Sequence, residues 1–448
     1  NYLSGGEKIF SLIFSLLGLG GGAASGAAAD AGSAGGGGGG VSAVRSIPYY
    51  VLTYALSAPA RSLYLLALFQ SAVAAFYVVV HCRVERLRTM PILIIGVLLA
   101  VCTPLAFVTT FAVPDIFAVP IIGGIVLLGT RSERLTLPMR VALVLVAGLG
   151  VSTHVSFPPL ALVVTGLVLL WLAWSNRAAI HAAVPGALLA GLPLVLGVAA
   201  TMVGGLAGFG EASVAPKRLP LVLARSMADG PGRWYLEEAC PTERFAVCEI
   251  WPGGDFPEDL GPILFQDGSI MDVANQDQLD RIRAEEPEIV WNAMRAYPML
   301  QVERTLSSIG RQFTIFDPVD INFAREIYRD PDGTLRTSRA PLEHGPIMRV
   351  VDALSHLFVP LSALLLLVGL FRMPRENLPV VLLCLLGIAA NMAICATFSA
   401  VAARYAMRVL WMVPLLAALY AWAPVREAST SLAQRLRPPD GSAPAENT

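Results

Sequence analysis

Arg404 and Arg408, in "SAVAARYAMRVLWMVP", stand one helical turn apart at the start of an apolar segment. Spaced i and i+4, they project from one helix face. The planar donor fork of arginine matches a phosphate or a carboxylate, although snorkelling to lipid headgroups is an equally ordinary use for such a pair. Acids that could join them are few. Glu7 lies in "SGGEKIF", Asp115 in "FAVPDIFAVP", Asp352 in "MRVVDALSH", and Asp30 in a Gly/Ala stretch. An acid at membrane depth costs roughly 2.5–3.5 kcal/mol on insertion scales, so Asp115 calls for a partner, water or a task. It also fits a helix N-cap, and Glu7 a first-turn acid favoured by the helix dipole. Together, such groups could do one kind of chemistry. A carboxylate, Glu7 or Asp115, would act as general base on a hydroxyl while Arg404 and Arg408 stabilise charge on a departing phosphate. Arg45, Arg61 and His154 fall on the same side of the chain's spans; a lone histidine such as His154 is more often structural than a site residue, and His356 is a similar, weaker candidate. Asp352 fits a cap or a partner for Arg349.

These side chains need a membrane to position them. Of 448 residues, 55% are hydrophobic and 15% charged, with mean hydropathy +0.63. A soluble domain carries about 25% charged residues. The net charge of −1 gives no bias toward nucleic acid. The pattern predicts an all-α polytopic membrane protein with about nine spans, near 62–82, 91–112, 114–130, 138–154, 158–176, 182–207, 350–371, 378–400 and 405–424. The first residue is Asn rather than Met, and a further N-terminal span, making ten, is expected before it.

Basic residues set the orientation. The loops "CRVERLR", "TRSERLTLPMR", "SNRAAIH" and "FRMPREN" alternate with loops nearly free of arginine. This pattern predicts an inner, cytoplasmic side carrying the arginines and a tail at 426–448, whose acids, with Glu85, read as solvated surface. The outer side receives residues 1–61, with two interfacial helices and a Gly/Ala linker, and a polar insertion at 208–348. Membrane helices fill 62–207 and 349–425. The bacterial cytoplasmic membrane, with the insertion on its periplasmic face, is the expected location.

The insertion holds 23 of the 33 acidic residues and reads as a mainly helical cap. Helices are expected near 216–228, 233–239 and 272–313, with Ile282, Ile289, Met294, Leu300 and Leu306 forming one face over the membrane domain. It contains no nucleophile elbow, P-loop or HExxH pattern. Cys240 and Cys248 flank "CPTERFAVC" and predict a disulfide closing a short loop, given an oxidising compartment. Cys82, Cys102, Cys384 and Cys395 lie in apolar runs as small hydrophobes.

The long first outer segment, the acids near the spans and the late "RYAMR" together resemble the glycosyltransferase-C superfamily. Its members are multi-span enzymes that take a sugar from a polyprenyl-phosphate carrier on the outer face. "LSGGEKIF" is similar to the first-loop Asp-Glu motif of aminoarabinose and protein mannosyl transferases, with Glu7 retained and Gly6 at the Asp position. The resemblance implies a second acid where Asp115 stands and a late basic motif near the lipid phosphate at Arg404 and Arg408. Arg45 and His154 would then be further substrate-binding residues.

Membrane lipids and a polyprenyl-phosphate sugar are the partners implied, with no nucleic acid and no protein partner specified. No cofactor is specified by these residues. A divalent metal is compatible with it, though carboxylates to hold one are sparse. Two other classes stay open. A flippase or transporter for a lipid-linked anion would want charges near the bilayer midplane. A catalytically silent scaffold subunit would fit the Gly6 departure and the Gly/Ala linker.

Overall fold

The computed structural model describes residues 46–59, 62–316 and 346–421, and the backbone of 326–329 and 335–338. Among the described residues, the regular structure is helical apart from one antiparallel strand pair, β1 (Glu326–Arg329) and β2 (Leu335–Ser338). The first membrane section comprises α1 (Ile47–Ser57), α2 (Tyr64–Val84), α3 (Thr89–Cys102), α4 (Leu105–Thr110), α5 (Ala118–Thr130), α6 (Leu137–Ser152), α7 (Phe157–Ser175) and α8 (Val184–Phe209). The insertion contributes α9 (Leu221–Asp229), α10 (Pro231–Ala239), α11 (Leu260–Leu264), α12 (Ile270–Val273), α13 (Gln276–Ala296) and α14 (Pro298–Thr314). The chain then forms α15 (Pro346–Leu370), α16 (Leu378–Phe398), α17 (Ala403–Leu410), α18 (Met412–Leu416) and a π-helical turn at Ala417–Ala421.

Among the described residues, five helices are long and apolar enough to cross a bilayer: Tyr64–Val84, Phe157–Ser175, Ile180–Phe209, Pro346–Leu370 and Leu378–Phe398. Three apolar segments are shorter: Thr89–Cys102, Pro114–Thr130 and Leu137–Ser152. Two stretches read as continuous spans are broken. The helix expected at 91–112 stops at Cys102, because Thr103 turns extended and Pro104 cannot continue the ladder. The segment expected at 405–424 is divided into α17, α18 and the π turn, with Pro414 inside it.

The centre of the membrane section is α5, every residue of which is buried. Its small residues explain how neighbours approach. A Cβ on Gly123 would lie 1.7 Å from the Tyr77 hydroxyl of α2, and one on Gly129 would lie 2.3 Å from Val168 of α7. Gly197 of α8 meets Val151 of α6 in the same way. Close backbone approach through small residues is the usual basis of helix packing in lipid, where no hydrophobic drive separates protein from solvent.

Helix α1 falls in one of the segments read as interfacial helices, where paired tyrosines suit the headgroup zone, but Tyr49 and Tyr50 are both fully buried. Tyr49 donates to Gln70 Oε1 at 3.3 Å, and Gln70 Nε2 donates to the carbonyls of Thr109 (3.1 Å) and Phe111 (2.8 Å). A buried amide thus satisfies carbonyls left open where α4 ends.

Residues 219–293 enclose a separate apolar core that includes Leu223, Met227, Leu236, Ile263, Leu264, Ile282 and Ile289. The face proposed to run from Ile282 to Leu306 is therefore divided. Ile282 and Ile289 point into this cap core, whereas Leu306 is exposed. The chain breaks at Tyr297–Pro298, which resets the helix between the two sets. Cys240 and Cys248 are joined by a disulfide, Cα–Cα 5.7 Å, at the end of α10.

Glu85 is not a solvated surface acid. Its side chain is only 11% exposed and lies 3.7 Å from Arg131 and 3.6 Å from Arg134, with Tyr420 donating to it at 3.0 Å. His81 bridges Tyr77 (3.0 Å) and Tyr420 (2.9 Å) just inside this cluster. The short helix between Asp115 and Arg131 therefore separates two buried polar clusters.

Candidate functional site

Asp115 is positioned by a break rather than by a helix. Val113 is extended, Pro114 fixes the next φ, and Pro114–Phe117 forms a 3₁₀ turn that runs into α5. All four residues of that turn are buried. Opposite it, α16 ends at Phe398 and α17 begins at Ala403 after an extended Ala402. The turn and α17 bring together residues 289 and 293 positions apart.

Arg404 donates Nε to Asp115 Oδ2 at 2.5 Å and Nη2 to Oδ1 at 3.3 Å. Arg408 Nη1 lies 3.4 Å from Oδ1. The side chain of Arg404 is 25% exposed, that of Arg408 only 1%. The two arginines expected to share one helix face therefore share one carboxylate, but only Arg404 reaches open space.

A buried guanidinium costs several kcal/mol unless its donors are met. Arg408 is surrounded accordingly. Asn391 Oδ1 accepts from Nε (2.9 Å) and Nη2 (2.7 Å), and Ser156 Oγ (3.2 Å) and Cys395 Sγ (3.0 Å) stand beside Nη2. The rings of Phe157 and Tyr405 lie 4.9 and 5.0 Å from its guanidinium carbon. Asn391 also donates Nδ2 to Tyr405 O at 2.9 Å, which ties α16 to α17. Trp411 Nε1 donates to Arg408 O at 3.1 Å.

A cavity of about 730 Å³ adjoins this cluster. Its membrane-side wall includes Arg404, Tyr405, His154, Ser156, Cys395 and Phe398, and Thr201, Gly205 and Phe209 of α8 continue it. The cap supplies Leu221, Phe265, Val290, Trp291, Met294 and the pair Arg218–Glu286. Glu286 is buried, and its Oε1 accepts from the backbone N–H groups of Val222 and Leu223, each at 2.9 Å. The carboxylate thus caps α9 while it pairs with Arg218. Most of the lining is apolar, with polar groups at two places: the Arg404–Tyr405 wall and the Arg218–Glu286 wall.

His154 lies in this cavity, its Nδ1 2.8 Å from Ser156 Oγ. Ser156 in turn contacts Arg408, so the histidine joins the cluster through one hydroxyl. Asp115 and Arg408 stand behind the cavity wall rather than on it. Glu7 and Arg45 lie outside the described residues. Asp352 makes no contact with the cluster and pairs instead with His356, Oδ1 to Nδ1 3.3 Å. His356 Nε2 lies 2.7 Å from Phe316 O. Among the described residues, no three His, Cys, Asp or Glu side chains gather as a metal site.

Asn391, Ser156, Tyr405, Arg218 and Glu286 were not singled out from sequence. Asn391 carried a signal: it is an amide within the apolar run "GIAANMAIC", and polar groups inside spans pair inward. Glu286 carried none, because it sits in "RAEEPEIV" among acids that are mostly solvated.

The arrangement can hold an anion against Arg404 while an apolar portion of the same molecule fills the cavity between cap and membrane helices. No family model matches the chain, nor does any curated protein or solved structure.

Proposed function

We propose that the chain is a membrane glycosyltransferase that moves a sugar from a polyprenyl-phosphate carrier to an acceptor hydroxyl. The observation that carries this reading is Arg404. Asp115 fixes its guanidinium from behind while it forms part of the wall of a largely apolar 730 Å³ cavity. A lipid-linked phosphate has the matching chemistry, an anion joined to a hydrocarbon chain. The finer topology belongs to the same reading: nine spans in this chain, the cap on the periplasmic side, and the bacterial cytoplasmic membrane as its location.

In this mechanism the acceptor oxygen attacks the anomeric carbon, and the bond from that carbon to the phosphate oxygen breaks. The polyprenyl phosphate leaves with the electron pair, and its added charge faces Arg404, held in place before the reaction. Both oxygens of Asp115 already accept from guanidinium groups. That suits Asp115 to hold Arg404 and Arg408 better than to take a proton. Glu7 is then the carboxylate assigned to the acceptor proton. His154 and the cap residues around Trp291 would orient the sugar and acceptor.

The test is transfer of radiolabelled sugar from a panel of polyprenyl-phosphate sugars by the full chain in nanodiscs. Arg404→Ala and Asp115→Asn are expected to abolish it. Undiminished transfer by both variants would end the proposal, as would failure of the wild-type chain to bind any polyprenyl phosphate.

A further inference from the structure

Helix α14 is polar where it meets the protein and apolar where it does not. Gln312, fully buried, donates Nε2 to Ala402 O at 2.9 Å and accepts at Oε1 from Ala402 N at 3.0 Å. Ser308, also buried, accepts from Arg225 at 2.6 Å. These bonds fix the roll of the helix about its axis. The remaining surface then presents Met299, Val302, Leu306 and Phe313 at 50–78% exposure. With the half-buried Ile309 they fall within about 80° of one another at 100° per residue. Glu303, Arg304 and Arg311 lie outside the strip, all exposed.

We infer that this strip of α14 is seated in lipid, at the boundary between headgroups and acyl chains on the cap's side of the bilayer. Three observations commit it to that occupant. The helix cannot roll to bury the strip, because its polar face is bonded to the protein through Gln312 and Ser308. Its C-terminal end is also at the level of a span: Phe316 O contacts His356 Nε2 of α15, whose Ile347, Val350 and Leu357 are likewise exposed apolar residues. The strip therefore continues the lipid-facing surface of the neighbouring span. Finally, Arg304 and Arg311 are exposed on the face opposite the strip, turned toward headgroup phosphates and water, the arrangement of an interfacial helix. Gln312 binds both backbone groups of Ala402, the residue that starts the helix bearing Arg404. A lipid-seated helix is thereby clamped to the candidate anion site. This inference stands apart from the sugar-transfer reading, since it needs only a bilayer.

The test is site-directed spin labelling of the full chain in nanodiscs of phosphatidylethanolamine and phosphatidylglycerol. Nitroxides are placed by Leu306→Cys, Val302→Cys and Arg304→Cys, with signal from labelled wild type subtracted. Collisions with oxygen should dominate those with a water-soluble nickel chelate at 306 and 302, and the ratio should invert at 304. Equal accessibility at 306 and 304 would overturn the inference. So would dipolar broadening between copies labelled at 306 or 302, which would name a second chain as the occupant. Positions 306 and 302 report independently, so loss of folding in one variant leaves the other to decide.

Discussion

Arg404 Nε and Asp115 Oδ2 are 2.5 Å apart across 289 positions of sequence. Asp115 is held at a proline-started turn and Arg404 on a short helix after a chain break, so neither could reach the other along a continuous span. Removing the carboxylate leaves Arg408 buried against amide, hydroxyl and thiol dipoles alone. Breaking such a buried pair costs about 3–5 kcal/mol. Asp115→Asn is expected to destabilise the chain by that order in reversible denaturation in mixed micelles. Asp115→Asn combined with Arg408→Met should lose less than the sum of the two single changes, because the uncompensated charge is gone.

Arg404 differs from Arg408 in reaching the cavity. Its substitution should therefore act on ligand more than on folding. Arg404→Ala should weaken binding of undecaprenyl phosphate by roughly ten- to a hundredfold, the range for hydrogen bonds to a charged group. Arg404→Lys should recover part of that, keeping the charge without the fork. Arg281→Ala, whose side chain pairs with Glu249 on the exposed surface of the cap, serves as the comparison and should shift binding little. Native mass spectrometry of lipid-loaded protein reads all three.

Gly123 is a packing position on the central helix. Its added Cβ would fall inside the Tyr77 hydroxyl. Overpacking of this kind typically costs about 1–3 kcal/mol or more. Gly123→Ala should lower the yield of folded protein and its melting temperature in detergent. Adding Tyr77→Phe should restore part of both, with incomplete recovery because Tyr77 also bonds His81.

The Cys240–Cys248 disulfide closes a short loop of the cap, with a sequence separation of 8. Loop-entropy reasoning assigns roughly 2–3 kcal/mol to such a closure. Cys240→Ser with Cys248→Ser should speed limited proteolysis within 219–293 while leaving cleavage elsewhere unchanged. Uniform loss of protection along the chain would assign the bond a wider role than the cap.

The helical class and the convergence of Asp115 with two late arginines were legible from residue type alone. Arginine and aspartate beside apolar runs are costly without partners, and so few such residues exist that they had to find one another. The division of labour between the arginines was not, because their spacing places both on one face and says nothing of which is covered. Asn391 and Ser156 decide that, and they come from other segments. The breaks at Thr103 and within 405–424 were obscured because hydropathy averages through a proline or an extended residue. The role of Glu85 was missed for a related reason: a loop acid among arginines looks solvated until the helices around it are placed.

Helix α5, enclosed on every side, has no face of its own turned to lipid. Thirteen residues at 1.5 Å each set a rod of about 20 Å between the turn that bears Asp115 and the arginine at its other end, Arg131. Thinning or thickening of the bilayer is felt first by the outer ring of helices, which tilt to adjust. The rod at the centre keeps its length, so the spacing of the two charged layers is independent of the membrane in which the protein resides.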